Sequence, residues 1–188
     1  MTPEEQQHLI REAKTHSESF VKLYDFYYSK ILGYAFRRTL DLDLAKDVTS
    51  ETFLKAYSNI SGFKWKGISF SSWLFKIATN EMNMLYRKKR SSMTSLEKFG
   101  ASVDGRDNGN ALEEEKEELE RQLRQSAEFI QVQQKLAMLP VKYQEVIALR
   151  FFEEKSIKEI AEILARKEGT IKSLLARGIG KLKELSTG

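Results

Sequence analysis

Lys172, Arg177, Lys181 and Lys183 recur along one side of the segment 168–185, set among Ser173, Ala176 and Gly180. At 100° per residue they lie opposite an apolar arc of roughly 100° formed by Ile171, Leu174, Leu175, Gly178, Leu182 and Leu185. Cations among small residues let a helix backbone approach a phosphate track while neutralising it. Immediately upstream, Ile157, Ile160, Ala161 and Leu164 repeat at helical spacing, and a turn of three or four residues leads into Glu168-Gly169-Thr170. Two short helices about such a turn form the helix-turn-helix that lays its second helix in a DNA major groove, N-terminal residues at the base edges. Thr170, Lys172 and Ser173 are therefore assigned to base edges, with Lys172 the first choice, and Arg177 and Lys181 to phosphates. A lone amphipathic helix would read more simply as a solvated basic face. The paired helices and the one-sided lysines favour DNA. Leu174, at the edge of the apolar arc, is expected to pack inward or to touch a thymine methyl.

A second polar array occupies 70–90. Lys76, Thr79, Asn80, Asn83, Tyr86, Arg87 and Arg90 share an arc of roughly 120°, opposite Phe70, Trp73, Leu74, Ile77, Ala78 and Leu85. Amides, a phenol and guanidinium groups can bond phosphates and base edges and stack on bases; on periodicity alone a plain solvent face is an equal reading. Glu81 falls inside the apolar arc, so it must be paired or reach the rim, because an unpaired buried carboxylate is costly. Just before this segment, Phe63-Lys64-Trp65-Lys66 alternates aromatics with lysines. That combination supplies stacking platforms beside phosphate neutralisation, the chemistry that holds single-stranded nucleic acid. Packing is the default for Phe63 and Phe70, whereas Trp65, between Gly62 and Gly67, reads as a loop residue open to a ligand.

The segment 42–58 carries a core stripe of Leu44, Ala45, Val48, Thr52 and Ala56 and a second strip of Asp47, Ser50, Glu51 and Leu54. Acids around an exposed leucine suit a protein-docking patch, although a solvated face is the ordinary explanation for any two acids.

The elements that must position these groups are helices. There are only two prolines, Pro3 and Pro140, and no sustained β-alternation. Helical patterns run through 5–15, 17–39, 42–58, 70–90, 111–138, 141–152, 156–164 and 168–185. The Ser-, Gly-, Asp- and Asn-rich run 91–110 marks a linker. Charge follows the same division: 15 Lys/Arg against 10 Asp/Glu in 1–95, 5 against 10 in 96–128, and 11 against 7 in 129–188. Two basic blocks flanking an acidic connector fit two nucleic-acid-facing modules. The absence of cysteine excludes disulfides, thiol chemistry and cysteine-ligated zinc. His8 and His16 stand without supporting ligands, and no residue set in the sequence suits catalysis, so no cofactor, metal or active site is expected. No long apolar run or signal peptide is present. A cytoplasmic protein with no direct membrane insertion is expected.

Taken in order, these segments resemble the extracytoplasmic-function (ECF) sigma factors, the minimal class of bacterial sigma factors, over nearly everything outside 91–128. Leu44 to Tyr57, with Asp47, Glu51 and Phe53, resembles region 2.2, which docks on the clamp helices of the polymerase β′ subunit. Phe70 to Asn80, followed by Arg87 to Arg90, resembles regions 2.3 and 2.4, which bind and open the −10 element. Leu139 to Arg150, Glu159 to Ala161 and Gly169 to Ser173 resemble region 4, which reads the −35 element. The sequence departs from the family pattern at Ser50 (usually Gln), Met84 (commonly Asp), Gln144 (commonly Arg), Leu174 (often Arg) and Arg166 (usually small or apolar).

The resemblance implies an all-α chain of two small helical domains, a region 2 bundle over 1–95 and a region 4 helix-turn-helix over 129–188. A flexible acidic linker over 96–128 would join them and suit the polymerase RNA channel. The implied partners are RNA polymerase core (β′ clamp and β subunits), promoter DNA and an anti-sigma factor that covers apolar patches at Leu54, Trp65 and Leu174. Asp47, Ser50, Glu51 and Leu54 would bind core polymerase. Phe63, Lys64, Trp65, Lys66, Lys76, Asn80, Asn83, Tyr86, Arg87 and Arg90 would take −10 DNA. Thr170, Lys172, Ser173, Arg177 and Lys181 would take −35 DNA. The rival readings are a stand-alone helix-turn-helix regulator, which would need a dimerisation helix that is not evident, and a protein–protein adaptor whose DNA faces have decayed.

Overall fold

The computed structural model describes residues 2–64, 68–92 and 127–187, and every regular element among them is helical. The first group comprises α1 (Pro3–Glu12), α2 (Ser17–Thr39), α3 (Leu42–Asn59), a 3-10 turn (Ile60–Gly62) and α4 (Phe70–Ser92). Local chemistry sets its boundaries. Thr2 and Glu5 form a capping box at the start of α1, and the Asp41 carboxylate accepts from Leu44 N at 3.0 Å at the start of α3. Between α2 and α3 the chain reverses through Leu40, whose φ of 54° is the left-handed conformation that ends many helices.

Helices α2, α3 and α4 pack around Leu23, Ile31, Leu32, Tyr34, Phe70, Leu74, Phe75 and Met82, all fully buried. Two buried threonines of α3 satisfy their hydroxyls within the helix, Thr49 on Ala45 O at 2.7 Å and Thr52 on Val48 O at 2.6 Å. The buried stripe of α3 is Ala45, Val48, Thr49, Thr52, Phe53 and Ala56. It is wider than the periodicity suggested.

The second group holds α5 (Ala127–Ala137), α6 (Val141–Ile147), a π turn (Ala148–Phe152), α7 (Ile157–Ile163) and α8 (Glu168–Thr187). Leu136, Leu149, Ile160 and Ile171 form its core. Ser156 and Glu159 make a capping box that opens α7. Ala165, at φ 51°, turns the chain between α7 and α8. Gly178 lets α8 close on α6, for a Cβ there would lie 3.1 Å from Ile147 Cδ1 and 3.2 Å from Tyr143 Cβ. Gln144 is buried, its side-chain amide donating to Ala137 O at 3.1 Å and Leu139 O at 2.7 Å. It thereby ties the α5–α6 turn, a task the sequence did not reveal.

The two groups are helical domains packed on one another, α4 against α7 and α2 against both α5 and the π turn. Of the helix expected over 111–138, residues 127–137 are described; the rest of the expected linker lies outside the described residues.

Candidate polymerase and promoter interfaces

The acidic strip of α3 stands clear of the core. Asp47, Ser50, Glu51 and Leu54 are all exposed, Leu54 at 61%. They share the helix with the buried stripe, so the packing of α3 fixes where they point. Lys55, beside Leu54, bonds the Glu81 carboxylate of α4 at 2.5 Å. Glu81 is buried and paired, which meets the condition its place in the apolar arc imposed.

On α4 the expected polar arc divides. Asn80 and Arg87 are exposed, while Lys76, Asn83 and Tyr86 are half-buried. Thr79 does not belong to it, being 2% exposed with its hydroxyl 2.8 Å from Tyr34 Oη. The physical reason is that α4 is buried on two sides, by α2 and α3 and by α7. Phe63 is also a correction. It is 7% exposed and packs on Phe70 and Trp73, with ring centroids 5.5 and 4.9 Å away, so it is core and no stacking platform. Lys64 is exposed. Trp65 and Lys66 lie outside the described residues, as does the side chain of Arg90.

Helix α8 presents Thr170, Lys172, Ser173, Arg177 and Lys181 together on its exposed side. Ile171, Leu174, Leu175 and Gly178 are buried beneath. Leu174, 8% exposed, packs inward and adds nothing to the apolar surface. A separate apolar groove of about 530 Å³ runs between the π turn and α8, lined by Leu136, Ile147, Phe151, Ile179 and Leu182 among others. Phe151 is 57% exposed there. No sequence signal pointed to this groove, because its walls come from four separate elements.

A third feature escaped the sequence altogether. Glu145 of α6 is 3% exposed and faces the first domain. It accepts from Asn83 Nδ2 at 2.9 Å and lies 3.6 Å from the Arg38 guanidinium and 3.9 Å from that of Arg166. Arg38 is itself buried, close to Tyr34 Oη at 3.4 Å, and its backbone carbonyl accepts from Tyr86 Oη at 2.5 Å. Burial alone would lower the Arg38 pKa, but Tyr34, Glu145 and Tyr86 hold it above the ordinary value. Burial pushes the Tyr34 and Tyr86 phenols up.

Residues 23–92 match the family model for sigma-70 region 2 and residues 129–182 that for sigma-70 region 4. The chain is 32% identical to RNA polymerase sigma factor YlaC of Bacillus subtilis, covering 92% of this chain and 94% of that one. The chain belongs to the ECF class of the sigma-70 family. ECF sigma factor SigW of B. subtilis is also 32% identical, over 91% of this chain and 90% of its own. Sigma factor RpoE of Bartonella quintana, solved with the anti-sigma factor NepR, shares the fold at a TM-score of 0.68 and 23% identity, over 90% of this chain and 98% of that one. As an ECF sigma factor the protein directs RNA polymerase to specific promoters, and the stand-alone regulator and adaptor readings are not favoured. No described helix is long and apolar enough to cross a membrane.

Proposed function

We propose that the first domain, 1–95, binds the β′ clamp through Asp47, Ser50, Glu51 and Leu54 and opens the −10 element along α4. The observation that carries this reading is the exposed acidic strip around Leu54, on a helix face the domain core does not use. Lys64, Lys76, Asn80, Asn83, Tyr86 and Arg87 line or flank the α4 surface and take the separated strand there, with Trp65, Lys66 and Arg90 as further ligands. The second domain, 129–188, reads the −35 element through Thr170, Lys172, Ser173, Arg177 and Lys181, supported by their joint exposure on one side of α8. Residues 96–128 serve as the acidic linker that joins the two domains and suits the polymerase RNA channel. Catalysis belongs to the polymerase, and the protein works in the cytoplasm.

The groove at Phe151 and the exposed Leu54 leave apolar surface open to protein. We assign the groove to the polymerase β subunit during initiation. An anti-sigma factor covers these surfaces otherwise, in keeping with the capture of RpoE by NepR.

Reversing Asp47 and Glu51 together to Lys tests the polymerase assignment. We expect the double variant to lose co-purification with core polymerase and promoter-specific transcription in vitro, with an unchanged helical circular dichroism spectrum. Retained co-purification would place the polymerase contact elsewhere.

A further inference from the structure

Helix α1 carries a basic face that neither the polymerase nor the promoter assignment uses. Gln7, Ile10, Arg11 and Lys14 follow one another at i, i+3, i+4 and i+7, so they share one side of the helix and of the turn that ends it. With Phe63 and Lys64 they line a hollow of about 520 Å³. Ile10 and Phe63 are buried and close its floor, whereas Gln7, Arg11, Lys14 and Lys64 stand exposed at its rim. Lys14 Nζ donates to Phe63 O at 2.9 Å and so holds the two walls together. An ammonium has three donors, and two remain for a ligand. Arg11 donates through Nε to Gln7 O at 3.4 Å, within its own helix, which leaves the outer fork of its guanidinium for a ligand. No carboxylate lines the hollow. Glu12 of the same helix is engaged elsewhere, 3.3 Å from His8 Nε2 and accepting from Ser19 Oγ at 3.1 Å.

Three cations gathered without an acid favour an anion. The hollow offers charge and amide donors at its rim but no exposed ring to stack on, so it suits a backbone phosphate better than a base. Its place in the fold indicates which phosphate. Phe63 packs on Phe70 and Trp73, so the hollow abuts the N-terminal end of α4. Arg87 lies about 26 Å further along that helix at 1.5 Å per residue. Lys64 belongs both to the hollow and to the residues that flank the α4 surface. We propose that Arg11 and Lys14, with Gln7 and Lys64, form a phosphate clamp on the single strand where it leaves α4 past Phe70. The inference rests on the reading of α4 as the −10 strand surface. Contacts at the clamp add affinity for opened DNA without adding base preference, since phosphates carry no direct sequence information.

Holoenzyme assembled from core polymerase and the full-length chain is titrated with a fluorescent pool of short random single-stranded oligodeoxynucleotides over a range of salt. Each lost phosphate contact should lower the slope of log affinity against log salt by about 0.7, so Arg11→Gln should lose about 0.7 and Arg11→Gln/Lys14→Gln about 1.4. The polymerase's own contacts are common to all samples and drop out of the difference. Arg11→Lys keeps the charge and should keep the wild-type slope. A merely structural loss at α1 would weaken binding without changing the slope, or would fall equally on Arg11→Lys, and either result overturns the clamp. Unchanged binding in both Gln variants overturns it as well. Arg87→Ala tests the reading of α4 separately. A lowered slope there, beside wild-type slopes for the Arg11 and Lys14 variants, removes the clamp and keeps α4; the converse keeps the strand contact at α1 and removes α4. A lone nucleotide offers the same phosphate without a strand. Binding of dAMP that is lost in the double variant while the strand slopes stay at the wild-type value would assign the hollow to a free nucleotide and overturn the clamp.

Discussion

Replacing Lys55 with Met removes the partner of a carboxylate that has little access to water. The Glu81 side chain is 11% exposed and that of Lys55 40%, with Nζ and Oε2 2.5 Å apart. Breaking a fully buried pair from one side costs about 3–5 kcal/mol, while an exposed pair is worth about 1 kcal/mol or less. With the acid inside and the ammonium at the rim, the cost of Lys55→Met should fall between, at about 2 kcal/mol. Glu81→Leu should be milder, since the ammonium left behind can turn to solvent and Glu81 shares its side of α4 with Ala78 and Leu85 at helical spacing. The double variant should recover most of the loss, giving a coupling of about 1–2 kcal/mol. Both tryptophans, Trp65 and Trp73, lie in the first half of the chain, so tryptophan fluorescence in urea follows the first domain alone. A Lys55→Met cost below about 0.5 kcal/mol, or a double variant as unstable as the sum of the singles, would refute the argument that burial of Glu81 sets the energy. The pair also ties α3 to α4 next to Leu54, adding to the buried stripe that sets the aim of Asp47 and Glu51. Lys55→Met should therefore weaken polymerase binding measurably, and much less than reversal of the acids themselves.

On α8, Lys172→Ala should relax promoter preference at one base position at a cost of about 1–3 kcal/mol, while Lys181→Ala should weaken all sequences evenly and lower the salt slope by about one. Competition binding of the holoenzyme to promoter libraries separates the two, and an interchange of these effects would reverse the orientation assigned to the helix. Gly178→Val should destabilise the second domain by about 1–3 kcal/mol by overpacking, because Tyr143 Cβ is fixed to the α6 backbone and cannot step aside as Ile147 Cδ1 can. A denaturation midpoint equal to that of wild type would show that α8 is free to shift. Glu159 supplies a pH test. Burial would raise its carboxyl, but bonds from the Ser156 backbone and hydroxyl, with help from Lys155 and Ser72, hold it below the ordinary carboxylate value. A depressed folded pKa contributes stability that is present above the unfolded pKa and lost as pH falls through the folded one. Thermal midpoints of Glu159→Gln should thus fall less steeply with acid than those of wild type. Glu153, raised by burial against the pull of Arg37, contributes in the opposite sense and is common to both proteins, so it drops out of the difference. Parallel acid limbs would remove Glu159 from the account.

Helices were legible in this sequence because a 3.6-residue apolar period needs no knowledge of what packs against it. The stripe of α3, the two helices about Ala165 and the exposed cations of α8 all follow from that local rule. The rule fails where a helix is buried twice. A single apolar arc on α4 left Phe75 outside the core and Thr79 on the polar side, yet Phe75 is 1% exposed and Thr79 is closed over by Tyr34. Phe63 failed for a related reason. An aromatic among lysines has the composition of a stacking platform, but the neighbouring Phe70 and Trp73 supply a cluster that composition does not locate. Gln144 and Glu145 are buried polar residues on a short helix, and their meaning lies wholly in their partners. One reaches back to the carbonyls of its own turn, the other across 62 residues to Asn83.

This non-locality bears on the function more than on the fold. Amides and guanidinium groups that suit a nucleic acid strand suit an internal carboxylate equally well, since both ligands offer oxygen acceptors at the same distances. A helical wheel therefore marks α4 as a surface with bonding capacity and is silent on whether DNA or the protein's own second domain satisfies it. Asn83 is claimed by Glu145 while Asn80 and Arg87 stay exposed. The face is partly satisfied and partly open. The partners of each group, and not its residue type, decide which part of the face is free for a ligand.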